Sequence, residues 1–210
     1  QHLVLVSNLI NIPSGLMESL KAYVNSGGQI LFIPHNNGDI QNYNQFLGAL
    51  NAGTFLQKKE DKRKVNTINI EHPLLTDMFE EVPNQLELPT LQAYYSLSSS
   101  ISQEPIMAFA DGTNYLSSVS VGNGQLYILS AALGDAYGNI TQQAIFAPLC
   151  YRMAVLGVKN VNIAYTIEMS TKIILSAQLT NDERMLIIRN KEQEFIPSKS
   201  NINSQLLLSL

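Results

Sequence analysis

Polar side chains that could carry out chemistry follow the apolar runs of this sequence. Ser7 and His35 each follow a short apolar run, Asn36 comes next, and Asp135 follows a third run. Ligands of open parallel sheets bind beyond the carboxyl ends of the strands, so we expect these residues on one rim. Serine, histidine and aspartate could act there as nucleophile, base and orienting group, which makes a cryptic hydrolase one hypothesis. The same rim could bind a small molecule or glycan without chemistry, or these side chains could only cap loops.

The other reactive residue types point to no further site. Cys150 is the single cysteine and falls on the apolar face of a predicted helix, where a thiol packs and does not react. His2, His35 and His72 lie far apart in the sequence, so no metal site is expected. Gly27-Gly28 follows a predicted helix, whereas a phosphate cradle needs glycines before a helix. We therefore expect no cofactor.

The charge distribution argues against a nucleic-acid partner. The chain has 13 Lys and Arg against 17 Asp and Glu, a net charge of −4. Residues 65–157 hold eight acidic residues and one base, Arg152, which is expected to pair with a nearby carboxylate. Such a region repels phosphates. The charged stretch Lys58–Lys64 is predicted to be a solvated loop, with an anion-binding arm as the alternative.

The first elements of the chain predict a βαβ unit. Leu3–Val6 is continuously apolar, as in a strand that is covered on both faces. A helical stripe follows, with Ser14 as the expected cap and Gly27 as the expected left-handed end. The apolar run Gln29–Ile33 comes next, and strand, helix and strand in this order close with parallel strands.

The later elements complete a prediction of the α/β class. An apolar stripe predicts a second helix near residues 43–50, and Pro148 predicts that a helix at 140–157 starts late or kinks. Three β-rich runs at 106–110, 115–121 and 125–130 are joined by turn residues, including Asp111-Gly112. We interpret residues 1–157 as a flavodoxin-like, mostly parallel sheet flanked by helices, with an antiparallel meander at its edge.

The pattern changes after residue 160. Short strand-like runs and turn pairs follow one another without a helical stripe, which predicts a partial, all-β, sandwich-like module over residues 161–210. The strand-like runs are Tyr165–Met169, Lys172–Leu179, Met185–Arg189, Glu194–Ile196 and Gln205–Leu210. The chain begins and ends in apolar runs, so we expect a piece of a longer protein.

Several segments in this order resemble a known family. They are 12–16, 23–28, 30–34, 122–127 and 146–153, which read IPSGL, YVNSGG, ILFIP, GNGQLY and FAPLCYRM. Over residues 1–157 the chain resembles the glutamine-amidotransferase-like, flavodoxin-related domain of bacterial membrane proteins with an aerotolerance-regulator-type N-terminal region. The resemblance implies an extracytoplasmic, periplasmic-side domain that is attached to the inner membrane only through segments outside this chain.

The resemblance does not extend to a catalytic apparatus. Class I amidotransferases place a cysteine on a tight turn after a buried strand, but the corresponding turn here, 34–38, has neither cysteine nor serine. We therefore expect a non-catalytic scaffold or interaction domain whose partner is another protein or a neighbouring domain of the same chain.

The hypotheses differ in what they require of the rim. A hydrolase requires Ser7 within hydrogen-bond reach of an imidazole that also meets a carboxylate. A sensor requires a cavity of a few hundred cubic ångströms with convergent polar groups, whereas a scaffold requires a shallow rim. Four tyrosines could stack on sugar rings in a glycan sensor, with core packing as the alternative: Tyr94, Tyr95, Tyr115 and Tyr137.

Overall fold

The computed structural model describes residues 3–76, 78, 86–98 and 102–156, and five strand segments after residue 171. The chain forms two units, Gln1–Lys159 and Asn160–Leu210. The helices described in the first unit are α1 (Ser14–Asn25), α2 (Ile40–Ala49) and α3 (Phe146–Leu156), with a short 3-10 turn at Ile140–Gln142. Its strands are β1 (Leu3–Ser7), β2 (Gln29–Ile33), β3 (Phe55–Lys59), β4 (Arg63–Ile68), β5 (Thr90–Leu91), β6 (Tyr94–Leu97), β7 (Gln103–Phe109), β8 (Asn114–Val121) and β9 (Gly124–Leu129).

Seven of these strands form one mixed sheet in the order β1-β2-β9-β8-β7-β4-β5. The βαβ prediction is confirmed, because β1 pairs with β2 in parallel and α1 connects them. Strand β2 also pairs in parallel with β9. The remaining pairings described in this sheet are antiparallel.

The prediction of a flavodoxin-like, mostly parallel sheet flanked by helices is wrong. The first unit is mostly β, with three helices in its described part. The reason lies in the connections: parallel neighbours need a long crossover, whereas short turns join β7 to β8 and β8 to β9 and impose antiparallel pairing. The predicted meander exists, but it occupies the middle of the sheet and not its edge.

The sheet buries apolar side chains on both faces. On one face, Ile30 and Phe32 of β2 pack with Tyr43 and Phe46 of α2 and with residues of α1. On the other face, Leu31 packs in a cluster that includes residues of α3. Alternate residues of β2 thus enter different clusters, which explains why this strand is apolar at consecutive positions.

The charged stretch 58–64 is not a loop of seven residues, so that prediction is wrong. Lys58 and Lys59 belong to β3, which pairs with β6, and Arg63 begins β4. The guanidinium of Arg63 lies 4.3 Å from the centre of the Phe109 ring and forms an ion pair with Asp111. The aromatic contact and the ion pair therefore hold Arg63 against the protein, although its position in a charged stretch predicted that it would be solvated.

The helix ends differ from the predictions in detail. Ser14 makes no capping hydrogen bond; the carbonyl of Pro13 accepts the first helical N–H groups, and Ser14 is already helical. Gly27 has the predicted left-handed conformation, with a φ of 108°. Within 140–157, α3 begins only at Phe146, which confirms a late start and leaves Pro148 in the first turn, where its missing N–H costs no hydrogen bond.

The second unit has five described strands: β10 (Lys172–Leu175), β11 (Ile188–Arg189), β12 (Glu194–Phe195), β13 (Ser198–Ile202) and β14 (Gln205–Ser209). Strands β10, β14 and β13 form an antiparallel sheet, and β11 pairs with β12. The sequence did not predict β13. The predicted strand 165–169 and the turns at 181–182 and 190–191 lie outside the described residues, and the sandwich stays a prediction.

Candidate functional site

A cavity of about 360 Å³ lies at the carboxyl ends of the parallel strands. Strands β1, β2 and β9 run in the same direction, so the segments that follow them meet at one edge of the sheet. We call this the rim cavity. Its lining residues come from these three segments: Ser7, Asn8, Pro34, His35, Asn36, Ala132, Leu133 and Tyr137.

Two buried tyrosines hold the turn after β2. The Tyr43 hydroxyl accepts a hydrogen bond from the His35 N–H at 3.0 Å and donates to the carbonyl of Leu9. The Tyr95 hydroxyl accepts from the Gly38 N–H at 3.0 Å and lies 2.8 Å from the carbonyl of His35. Burial raises the pKa of both tyrosines, so both hydroxyls keep the proton that they donate. The turn is thus fixed before any ligand arrives.

The hydrogen bonds of His35 determine its tautomer. The backbone N–H of Asn37 donates to Nδ1 of His35 at 3.0 Å. The neutral ring therefore carries its proton on Nε2, which acts as a donor. A serine hydrolase needs the opposite arrangement, in which Nδ1–H faces a carboxylate and Nε2 accepts the serine proton. No hydrogen bond among the described residues joins Ser7 to this ring.

Asp135 does not join the other predicted residues. It is exposed, is not part of the rim cavity lining, and accepts a hydrogen bond from the Gln142 side chain at 2.9 Å. Its neighbour Tyr137 lines the cavity, and the Tyr137 carbonyl accepts from the Gln92 N–H at 2.8 Å. The structure thus brings Ser7, His35 and Asn36 together but leaves Asp135 outside.

The four tyrosines that could stack on sugars differ in their burial. Tyr94, Tyr95 and Tyr115 are buried in the core, whereas Tyr137 is half-buried at the rim. Asn8 adds a polar side chain at the cavity from a left-handed residue with a φ of 61°. Asn adopts this conformation more easily than most residues.

Other residues that the sequence singled out have structural roles. Cys150 is half-buried among apolar residues, and burial raises the pKa of its thiol. Asp111 accepts from the Thr113 N–H at 3.0 Å, which confirms the predicted hairpin turn. Arg152 donates to the carbonyls of Pro73, Leu74 and Thr76; it pairs with no carboxylate among the described residues, and the predicted ion pair stays a prediction.

Sequence reasoning missed that Tyr43 and Tyr95 hold the turn after β2. Tyr95 lies 57 residues from Gly38, so no local spacing links them.

Among the residues that the structure describes, no group of three His, Cys, Asp or Glu side chains could hold a metal ion. None of the helices in the described part of the chain has the length and apolar character that crossing a membrane requires.

Comparison with known proteins defines the fold and not the family. No protein-family model matches this sequence, and no curated protein matches it. The cytoplasmic protein STM3548 from Salmonella typhimurium is 14% identical with a TM-score of 0.57, over 74% of this chain and 71% of that chain. A second cytoplasmic protein, STM1381 from Salmonella typhimurium LT2, is 15% identical with a TM-score of 0.55, over 74% and 70% of the two chains.

Part of a longer enzyme has a fold similar to that of this chain. The cold-adapted beta-galactosidase from Rahnella sp. R3 is 14% identical with a TM-score of 0.53, and the match covers 74% of this chain but 22% of the enzyme. These likenesses show a similar fold, and a similar fold does not by itself imply a similar activity. The resemblance to amidotransferase-like domains, with its extracytoplasmic location and inner-membrane attachment, stays a prediction.

Proposed function

We propose that this protein is a non-catalytic binding domain whose rim cavity takes a small, neutral, hydroxyl-rich ligand such as a sugar. The observation that carries the proposal is a cavity of about 360 Å³ lined by short polar side chains and one aromatic ring. A scaffold domain needs only a shallow rim, so a cavity of this size favours the sensor alternative.

The polar groups of the cavity suit hydroxyl groups. Ser7, Asn8 and Asn36 each offer both donors and acceptors, and His35 offers the Nε2–H donor. No Asp, Glu, Lys or Arg belongs to this lining in the described residues, so nothing there compensates the charge of an ionic ligand. The half-buried ring of Tyr137 supplies an apolar surface for the C–H face of a sugar.

The arrangement of His35 supports a role without catalysis. Its Nδ1 already accepts the Asn37 N–H, so the ring has neither a free base nor an orienting carboxylate. Hydrogen bonds to Tyr43 and Tyr95 hold the turn without a ligand, which reduces the entropy that a ligand must overcome. The beta-galactosidase that shares the fold makes galactosides reasonable first ligands, by analogy alone.

Calorimetric titration of the 210-residue chain with galactose, lactose and inositol tests the proposal, with gluconate and galactosamine as charged comparisons. Neutral ligands should bind in preference to both charged sugars. Tyr137→Ala should weaken binding about tenfold, because the stacking surface is lost. Tyr151→Ala is the matched control, since Tyr151 is 69% exposed and is not part of the rim cavity.

Two results would overturn the proposal. One is the failure of every neutral ligand to bind at millimolar concentration, or binding that Tyr137→Ala leaves unchanged. The other is hydrolysis of a nitrophenyl ester or a glutamine amide that Ser7→Ala abolishes, which would make the domain an enzyme.

A further inference from the structure

A second cavity, of about 170 Å³, lies at the opposite end of the same sheet. We call it the amino-end cavity, because it is next to the first residues of β2 and β9. Its lining residues come from the sheet, from the turn after β4 and from the last residue of α3: Gln29, His72, Pro73, Glu104, Ser118, Gln125, Tyr127 and Leu156. It shares no residue with the rim cavity.

Strand register places the polar residues of this cavity side by side. Gln29 of β2 is the direct partner of Gln125 of β9. Ser118 of β8 is opposite both Tyr127 and Glu104 in its two antiparallel pairings. The side chains therefore project from neighbouring strands into one small space.

Two acceptors in this space have no partner. Gln29 is 4% exposed, and its Oε1 atom is buried without a hydrogen bond. Gln125 donates from Nε2 to Ser120 at 2.9 Å, but its buried Oε1 also lacks a partner. Buried polar atoms are nearly always paired in native proteins, so two neighbouring orphan acceptors indicate a missing donor.

The charged groups around the cavity leave a negative charge available. Glu104 is 70% exposed, and its carboxylate lies 3.7 Å from Nε2 of His72. His72 accepts the Leu74 N–H on Nδ1 at 3.1 Å and lies 2.8 Å from the Ser118 hydroxyl, so the ring is held in its neutral form. Burial also lowers the pKa of His72, so this ring does not neutralise Glu104.

Among the described residues, Arg152 is a cation near this cavity, and its side chain is already occupied. Its side chain donates to the carbonyls of Pro73, Leu74 and Thr76 and is not part of the cavity lining. No Lys or Arg among the described residues lines this cavity, so we expect the ligand that completes it to bring its own donors and a positive charge.

We propose that the amino-end cavity binds a primary ammonium group on a short carbon chain. A primary ammonium has three N–H donors, which match the Oε1 atoms of Gln29 and Gln125 and the carboxylate of Glu104. Leu156 and the ring of Tyr127 provide apolar contacts for the carbon chain. The volume limits the ligand to a few non-hydrogen atoms beyond the nitrogen.

Calorimetric titration with propylammonium tests the proposal, with tetramethylammonium and 1-propanol as comparison ligands. Tetramethylammonium has the charge without N–H donors, and 1-propanol has the carbon chain without the charge. Propylammonium should bind at least tenfold more tightly than either. Side-chain amide signals of Gln29 and Gln125 in nitrogen-proton NMR spectra should shift only with propylammonium.

Substitutions in the amino-end cavity test whether propylammonium binds at this site or is only attracted as a cation to the surface of the protein. Glu104→Gln should weaken propylammonium binding about tenfold, because it removes the charge from an exposed position and preserves the fold. Glu18→Gln makes the same change on an exposed position of α1 and should leave binding unchanged. Gln29→Leu should abolish binding and stabilise the fold, since it removes an unpaired buried acceptor.

The proposal fails if propylammonium does not bind, if tetramethylammonium binds equally well, or if Gln29→Leu or Glu104→Gln retains the affinity of the original chain. Tyr137→Ala should not change amine binding. This variant therefore distinguishes failure of the amine site from failure of the sugar site.

Discussion

A pair of Tyr→Phe substitutions tests whether buried hydroxyls hold the turn of the rim cavity. Tyr43 and Tyr115 are 0% and 1% exposed, and each ring packs edge-on against a phenylalanine. They differ in their hydroxyls: that of Tyr43 bonds the N–H of His35 and the carbonyl of Leu9, whereas that of Tyr115 has no partner. The same substitution should therefore lower the free energy of unfolding at Tyr43 but not at Tyr115.

The expected magnitude follows from these contacts. Tyr43→Phe removes two hydrogen bonds, each with a net contribution of about 1 kcal/mol, so the free energy of unfolding should fall by about 2 kcal/mol. In a protein of this size that change lowers Tm by about 4–8 °C. Tyr115→Phe removes a desolvated hydroxyl without a partner, so stability should stay constant or rise by up to about 1 kcal/mol.

Urea unfolding followed by far-ultraviolet circular dichroism measures both changes. The midpoint should shift at constant denaturant dependence, because neither substitution alters the surface that unfolding exposes. Tyr43→Phe should also weaken sugar binding at the rim cavity, and Tyr115→Phe should not. Equal midpoint shifts in the two variants would refute the argument that these hydroxyls, rather than the rings, hold the turn.

Three further changes have expected outcomes. Gly124→Ala should destabilise the fold by about 3 kcal/mol in urea unfolding, because the new Cβ would lie 2.2 Å from the carbonyl oxygen of Gly28. Gly48→Ala, in open space within α2, should stabilise the fold by about 0.5–1 kcal/mol, and equal effects of the two substitutions would contradict this packing. Burial raises the pKa of Tyr127 to about 12, so stability that is present below pH 10 should be lost as the pH rises from about 10 to 12. Tyr127→Phe should reduce this loss, and an unchanged profile of stability against alkaline pH would contradict the attribution of the loss to Tyr127. Alkylation of Cys150 by iodoacetamide at pH 8 should be slower in the folded chain than in urea, because burial raises the pKa of the thiol, and equal rates would show an accessible thiol.

Local patterns predicted the elements of the first unit better than their arrangement. The continuous apolar run of β2 and the helical stripe of α1 lie in adjacent segments, so one βαβ unit could be predicted. The position of the meander could not, because β2 reaches β9 only after about 90 residues that include β3 to β8. Strand order is determined by which apolar faces pack together, and a local pattern does not contain that information.

For the residues of the rim cavity too, the sequence predicted some features and the structure alone showed others. Ser7, His35 and Asn36 each follow a strand, and parallel strands bring their carboxyl ends to one edge, so their meeting was predictable. Asp135 also follows a strand, but the turn after β9 leaves it exposed and places Tyr137 in the cavity. A difference of two residues in one turn thus changes which side chain reaches the cavity.

Local patterns were enough to predict that a strand, a helix and a strand begin the chain, that hairpins follow, and that polar side chains collect at one end of the parallel strands. These features depend on spacings of a few residues, which side-chain periodicity and turn chemistry control. Three features became evident only in the folded chain: the tautomer of His35, the two tyrosines that hold its turn, and the unpaired acceptors of Gln29 and Gln125. Each of these depends on atoms from distant segments, whose distances are set by packing of the whole unit.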